Sequence, residues 1–164
     1  MKLSGVWNYR TLLVGTVAIS QAISSVVGRN SSGQPESLQR ALAAARTADE
    51  NRGRDIVILD MRELTPIFDY FVIVTGTSRR QLHAISEEID HTLEDQMSDK
   101  RMGIEGYNES RWILLDYGDV VIHMFDDETR DYYSLEQLWA GAKRVPFEGR
   151  NDGKVGELSI RSPK

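Results

Sequence analysis

The chain has no cysteine among its 164 residues, which excludes a thiol nucleophile, an iron–sulfur cluster, a cysteine-ligated zinc site and any disulfide scaffold. Histidine is almost as scarce. His83, His91 and His123 show no H-E-x-x-H spacing; the first two, on one predicted helix, stand about 12 Å apart at ~1.5 Å rise per residue, too far to share a metal. A base at His123 needs a nucleophile beside it, and none is evident. No metal or other cofactor is expected. Long apolar runs are lacking too. The only candidate, Leu12 to Val27, is interrupted by Gly15, Thr16, Ser20 and Gln21 and is too short for a membrane span.

Acidic residues are missing from the first 35 positions, where Lys2, Arg10 and Arg29 carry the only charge. That segment reads either as a targeting peptide, secretory with a Leu12–Ile19 core or organellar, or as a disordered or non-native extension. Ser31 to Pro35 is a linker by composition. From Glu36 on the balance reverses, since 17 of the 20 basic side chains remain against all 25 acids, a net of −8. An acidic body repels a phosphate backbone. The expected partner is therefore a basic protein, not a nucleic acid read by sequence.

Glu36 to Asn51 places Leu38, Leu42 (or Ala41), Ala45 and Ala48 at helical spacing and predicts an amphipathic helix. Ile56–Met61 and Phe71–Thr75 are short β-branched runs that predict inner strands, joined by a connection that Pro66 keeps out of the sheet. Ser78 with Gln81 is a capping-box pattern opening a long helix with Leu82, Ile85, Ile89 and Leu93 as its buried stripe. Ile104 to Tyr107 is a weak edge strand. Asp126-Asp127-Glu128 predicts a turn, and Ser134 with Gln137 predicts a last helix from Leu135 to Val145 that buries Leu135, Leu138 and Ala142. The order implies an α/β domain over residues 36–147, a mixed sheet of four or five strands with helices mainly on one face. Residues 148–164 read as a flexible tail.

The centre of the chain is Trp112 to Phe125, two apolar runs around Gly118-Asp119. Glycine in the first loop position suits a two-residue type II′ turn. That turn sets Tyr117 opposite Val120, Leu115 opposite Ile122 and Ile113 opposite Met124 on an aliphatic face that reads as core. The other face carries Trp112, Leu114 and Asp116 opposite Phe125, His123 and Val121. Either a helix covers this second face, with Asp116 bridged by Arg130 or Arg144, or the face binds a protein. Two aromatics at ~150–250 Å² each give roughly 8–12 kcal/mol gross. Association costs ~4–15 kcal/mol, so Asp116 and Asp119 must add steering toward a basic partner.

A competing chemistry is weaker. Thr75-Gly76-Thr77-Ser78 sits where free amides at a helix start hold anions, but it lacks both glycine-rich phosphate patterns. Metal-dependent nucleotidyl transfer or nucleotide hydrolysis needs paired carboxylates, and Asp116 and Asp119 are the only candidates near strands. A third reading is a homodimer through the apolar sheet surface.

Three blocks, D-Y-F-V-I-V-T-G-T-S-R-R-Q (Asp69–Gln81), W-I-L-L-D-Y-G-D-V-V-I-H-M-F (Trp112–Phe125) and R-D-Y-Y-S-L-E-Q-L-W (Arg130–Trp139), resemble the Iojap or ribosomal silencing factor family. The resemblance implies a nucleotidyltransferase-like fold without a complete catalytic site. It implies a non-enzymatic translation repressor that binds the large ribosomal subunit through ribosomal protein number fourteen and blocks joining to the small subunit when nutrients are short. By that resemblance Trp112, Asp116, Tyr117, Asp119 and His123 lie on or beside the partner-binding surface, to which the residue reading adds Leu114 and Phe125. Arg130, Tyr133 and Trp139 match the block that packs behind it. The implied location is cytoplasmic, or mitochondrial or otherwise organellar if residues 1–35 are a transit segment.

Overall fold

The computed structural model describes residues 36–149; the readings of residues 1–35, and of all but the first two residues of the predicted tail, fall outside them. Helix α1 (Glu36–Glu50) is followed by strands β1 (Arg54–Asp60) and β2 (Tyr70–Thr75), helix α2 (Arg79–Met97), and strands β3 (Gly103–Glu105), β4 (Trp112–Asp116) and β5 (Val120–Phe125). Two short helices, α3 (Asp127–Tyr133) and α4 (Leu135–Leu138), lead to strand β6 (Lys143–Val145). The six strands form one mixed sheet in the order β3-β4-β5-β2-β1-β6. Only β2 and β5 run parallel, because α2 carries the chain across between them; the other pairs are antiparallel.

The predicted α/β class holds, with six strands where four or five were expected. The difference lies at the edges. The expected weak edge strand at Ile104–Tyr107 appears as β3, shifted by about a residue, and the strand not foreseen is β6, where the last helix was expected to run on to Val145; a three-residue segment carries little periodic signal. β6 pairs with Ile58–Asp60 and covers a β1 edge that would otherwise expose unpaired backbone.

One sheet face packs on α1 and α2. Ala41, Ala44, Ala45 and Ala48 of α1, and Leu82, Ile85, Ile89 and Leu93 of α2, meet Ile58, Val72, Val74, Ile113, Leu115, Ile122 and Met124 in one buried core. Alanine lets α1 lie close on the sheet, so the stripe centres on the alanines and leaves Leu38 and Leu42 half-buried at its margin. The start of α2 is as predicted in one half of its capping box. Ser78 Oγ accepts the Gln81 amide at 3.2 Å, while Gln81 Oε1 turns to the Thr77 amide at 2.7 Å.

The hairpin register agrees with the prediction at every pair from Trp112↔Phe125 to Asp116↔Val121. Gly118 has φ +85 and Asp119 is not in the left-handed region, the combination of a type II′ turn.

After Phe125 the structure departs from the sequence reading. Asp126 caps a helix where a turn was expected, its Oδ1 accepting the Thr129 amide at 2.7 Å. Ser134 then sits at φ +44 as the C-cap of α3. Its hydroxyl donates back to the Asp131 carbonyl at 2.6 Å and gives α4 no side-chain cap. The last helix consequently stops at Leu138, which is 63% exposed, and the chain turns into β6.

Candidate partner-binding surface

Strand alternation places Trp112, Leu114 and Asp116 of β4 on the second sheet face, while Ile113 and Leu115 enter the α1–α2 core. All three are half-buried. Beyond β4 the sheet has only β3, which reaches no farther than Leu114. They form a continuous half-exposed strip of one indole, one aliphatic side chain and one carboxylate.

On β5, one strand further in, the same face is closed. His123 and Phe125 are 0% exposed. They lie in a second core with Leu59, Met61, Phe68, Phe71, Ile73 and Leu135, margined by Tyr133, Trp139 and Ala142. Phe71 meets His123 at 4.8 Å and Trp139 at 6.0 Å between ring centroids, and Trp112 meets both Phe125 and Tyr133 at 4.7 Å. Arg130 holds this cover down, donating to Thr75 Oγ1 at 2.7 Å and pairing with Glu136.

The expectation of a fully open second face is therefore corrected. Phe125 and His123 cannot touch a partner, because α3, α4 and the Met61–Asp69 connection seal the central strands. Tyr117 is also inside. It faces the first core at 3% exposure, and its hydroxyl donates to Asp90 Oδ1 at 2.7 Å. Burial and the neighbouring Asp90 push that phenol far above its ordinary pKa.

The two acids differ from one another. Asp116 has no cation within ion-pair reach among the described residues; Arg130, expected as a bridge, is committed to Glu136. Its Oδ1 accepts the Gly118 amide at 2.7 Å, and burial raises its pKa more than that bond lowers it. Asp119 faces α1, where Arg40 donates to its Oδ2 at 2.7 Å and to Asp99 Oδ2 at 2.9 Å. Burial again outweighs Arg40 and raises the Asp119 carboxyl. The Asp119 carbonyl accepts the Asp69 and Tyr70 amides, and Ser37 donates to Asp69. This network fixes the hairpin tip to α1. Sequence reasoning missed Arg40, since nothing distinguishes an arginine on a helix from a solvated one.

His123 is driven down to about pH 3 by burial and is neutral at physiological pH. Its Nδ1 lies 3.4 Å from Trp112 Nε1, placing it as the acceptor of the indole N–H.

The nucleotidyl-transfer constellation does not assemble. Asp119 and Ser78 lie at opposite ends of β5, since the Gly76 amide bonds the Phe125 carbonyl while Asp119 precedes Val120. Six residues at ~3.3 Å separate those ends by about 20 Å. Asp116 and Asp119 point to opposite faces of the sheet. At the start of α2, the amides of Thr77 and Gln81 are taken by Gln81 Oε1 and Ser78 Oγ, so these two are committed within the chain. Among the described residues no three histidine or acidic side chains converge in a metal-holding group. No helix there is long and apolar enough to cross a membrane.

Comparison with known proteins places this geometry in a family. A sequence model of the family "Ribosomal silencing factor during starvation" matches residues 34–161. The chain is similar to ribosomal silencing factor RsfS of Bacillus subtilis, 45% identical over 100 residues, covering 60% of this chain and 83% of that protein. It is also similar to the mouse protein "Mitochondrial assembly of ribosomal large subunit protein 1", 37% identical over 92 residues, 55% of this chain but 40% of that one. A crystal structure of a Chromobacterium violaceum protein superposes with a TM-score of 0.61 at 33% identity, over 67% of this chain and 90% of that one. With the family model spanning more than half of the sequence, the chain belongs to the ribosomal silencing factor family.

Proposed function

We propose that this protein represses translation by occupancy. It binds the large ribosomal subunit through ribosomal protein number fourteen, covers the face on which the small subunit docks, and so prevents joining when nutrients are limiting. No bond is made or broken, and neither a metal nor a cofactor takes part. The observation that carries the reading is the half-exposed strip Trp112, Leu114 and Asp116, backed by a sealed aromatic layer. A rigid backing matters because a side chain already held in place loses little freedom on binding.

The corrected geometry changes the energy balance. Phe125 is already buried by the fold, so the apolar gain falls to the exposed parts of Trp112 and Leu114, well below the roughly 8–12 kcal/mol that two free aromatics would give. Against an association cost of ~4–15 kcal/mol, the carboxylate of Asp116 supplies orientation toward a basic partner. Names carried by the family and by the mouse relative support the ribosomal large subunit as partner. The compartment follows residues 1–35: cytoplasmic for a bacterial-type protein, organellar if that segment is a transit peptide.

Light scattering of small and large subunits mixed with and without the purified protein tests the reading. Suppressed joining that is relieved by adding isolated ribosomal protein number fourteen is expected; normal joining at saturating protein contradicts it. Titration with a nucleoside triphosphate and magnesium is expected to release no heat, and a millimolar or tighter isotherm would restore the enzymatic alternative. A homodimer through the same strip would compete with the ribosome and shrink in light scattering as large subunits are added.

A further inference from the structure

The described residues carry 13 basic and 23 acidic side chains, so a cation without a partner stands out. Seven of the thirteen are in ion pairs: Arg40, Arg54, Arg62, Arg101, Arg111, Arg130 and Lys143. Of the six that are not, three meet at one place. The Arg52 carbonyl accepts Gln81 Nε2 at 2.9 Å, which brings the loop after α1 onto the first turn of α2, where Arg79 and Arg80 lie. All three arginines are exposed. Arg52 is fixed in the left-handed region at φ +62, its amide bonded to the Asp49 carbonyl at 2.9 Å. The acids at this end of the sheet, Asp126, Asp127 and Glu128, are taken up by Arg111 and Arg54. Glu50 and Asp55 flank Arg52 along the chain.

The position matters as much as the charge. Trp112 pairs with Phe125, and Phe125 with Thr75, immediately before the turn into α2. Two strand spacings of ~4.8 Å therefore put Thr75 about 10 Å from Trp112; Arg79 and Arg80 follow at the start of α2, at the same end of the sheet but on the helix that packs against its other face. The hairpin tip, with Asp119, Asp69 and Asp99, lies at the other end.

We propose that Arg52, Arg79 and Arg80 contact the phosphate backbone of ribosomal RNA beside the protein site occupied by the Trp112 strip; this rests on the large-subunit reading above. Guanidinium groups pair with phosphate oxygens in a bidentate manner and displace condensed counterions, without reading sequence. The overall acidity of the chain keeps it off RNA in general, and the local cluster adds affinity only where the protein strip has already placed it.

The test uses the full chain in co-sedimentation with isolated large subunits at several salt concentrations. The variant Arg52→Gln/Arg79→Gln/Arg80→Gln should bind about tenfold or more weakly at 150 mM salt, with the slope of log K against log salt shallower by about 2–3. Its affinity for isolated ribosomal protein number fourteen should be unchanged, and the matching triple lysine variant should restore the slope. Arg79→Gln/Arg80→Gln alone, which spares the strained Arg52 position, should show about two thirds of the effect. An unchanged slope overturns the proposal, and so does equal weakening toward the isolated ribosomal protein, which would make the contact a protein one. If the unmodified chain fails to sediment with large subunits, the functional reading itself falls and takes this contact with it.

Discussion

Trp112 donates its indole N–H to His123 Nδ1 at 3.4 Å, joining a half-exposed ring on β4 to an imidazole that no solvent reaches. The bond is long, and its value lies in direction: it aligns the one large side chain of the strip against the sealed aromatic layer. Protonation of His123 would put a donor on Nδ1 opposite the indole N–H and charge a group in an apolar core.

A pH dependence of stability follows. The unfolded chain binds a proton at His123 near pH 6.5, whereas the native state resists it down to about pH 3. Between those values the unfolded state holds the extra proton, so this residue lowers unfolding free energy by about 1.4 kcal/mol for each pH unit below 6.5. Urea titrations at pH 7.0 and 5.5 should differ by roughly that amount. The replacement His123→Leu should remove most of the difference, and an unchanged slope in that variant would place the titration elsewhere.

Phe125 and Trp112 should separate stability from binding. Phe125→Ala opens a cavity in the second core and should cost about 3–5 kcal/mol of stability. Trp112→Ala, at a half-buried position, should cost less than half as much while removing most of the affinity for large subunits. Denaturant midpoints and sedimentation on the same two variants check this pair of outcomes.

Arg40 should be needed for the hairpin tip. Removing it leaves Asp119 and Asp99 half-buried without their cation, a loss of roughly 1–3 kcal/mol once solvent screening of these partly exposed groups is allowed for. In a double-mutant cycle, Arg40→Met and Asp119→Asn should cost less together than the sum of the two alone. Strict additivity would mean the pair contributes nothing beyond its parts.

Gly106 should govern the entry to β4. It has φ +72, and a Cβ there would lie 1.9 Å from the Trp112 carbonyl oxygen. Gly106→Ala should therefore destabilise the fold by at least ~1–3 kcal/mol and also shift Trp112 fluorescence.

The central hairpin was legible in the sequence because one glycine fixed its register, and period-two alternation then assigned every side chain to a face. The α2 stripe was legible because four aliphatics recur at helical spacing. The lid over β5 was not. Its short helices are set by Asp126 acting as a cap and by Ser134 adopting a left-handed conformation, choices that tertiary packing makes and local pattern does not reveal. Exposure inverted for the same reason: Leu138 was read as buried and is outside, while Phe125 and His123 were read as surface and are inside. Alternation says which face a residue takes, but only the neighbouring elements say whether that face is wet.

The most direct test is co-sedimentation of the full chain with separated ribosomal subunits, comparing the unmodified protein with Trp112→Ala/Asp116→Lys after circular dichroism has shown that both are folded. The account predicts that the unmodified chain pellets with large subunits and not with small ones, and that the double variant stays in the supernatant. A folded double variant that still pellets with large subunits would contradict it.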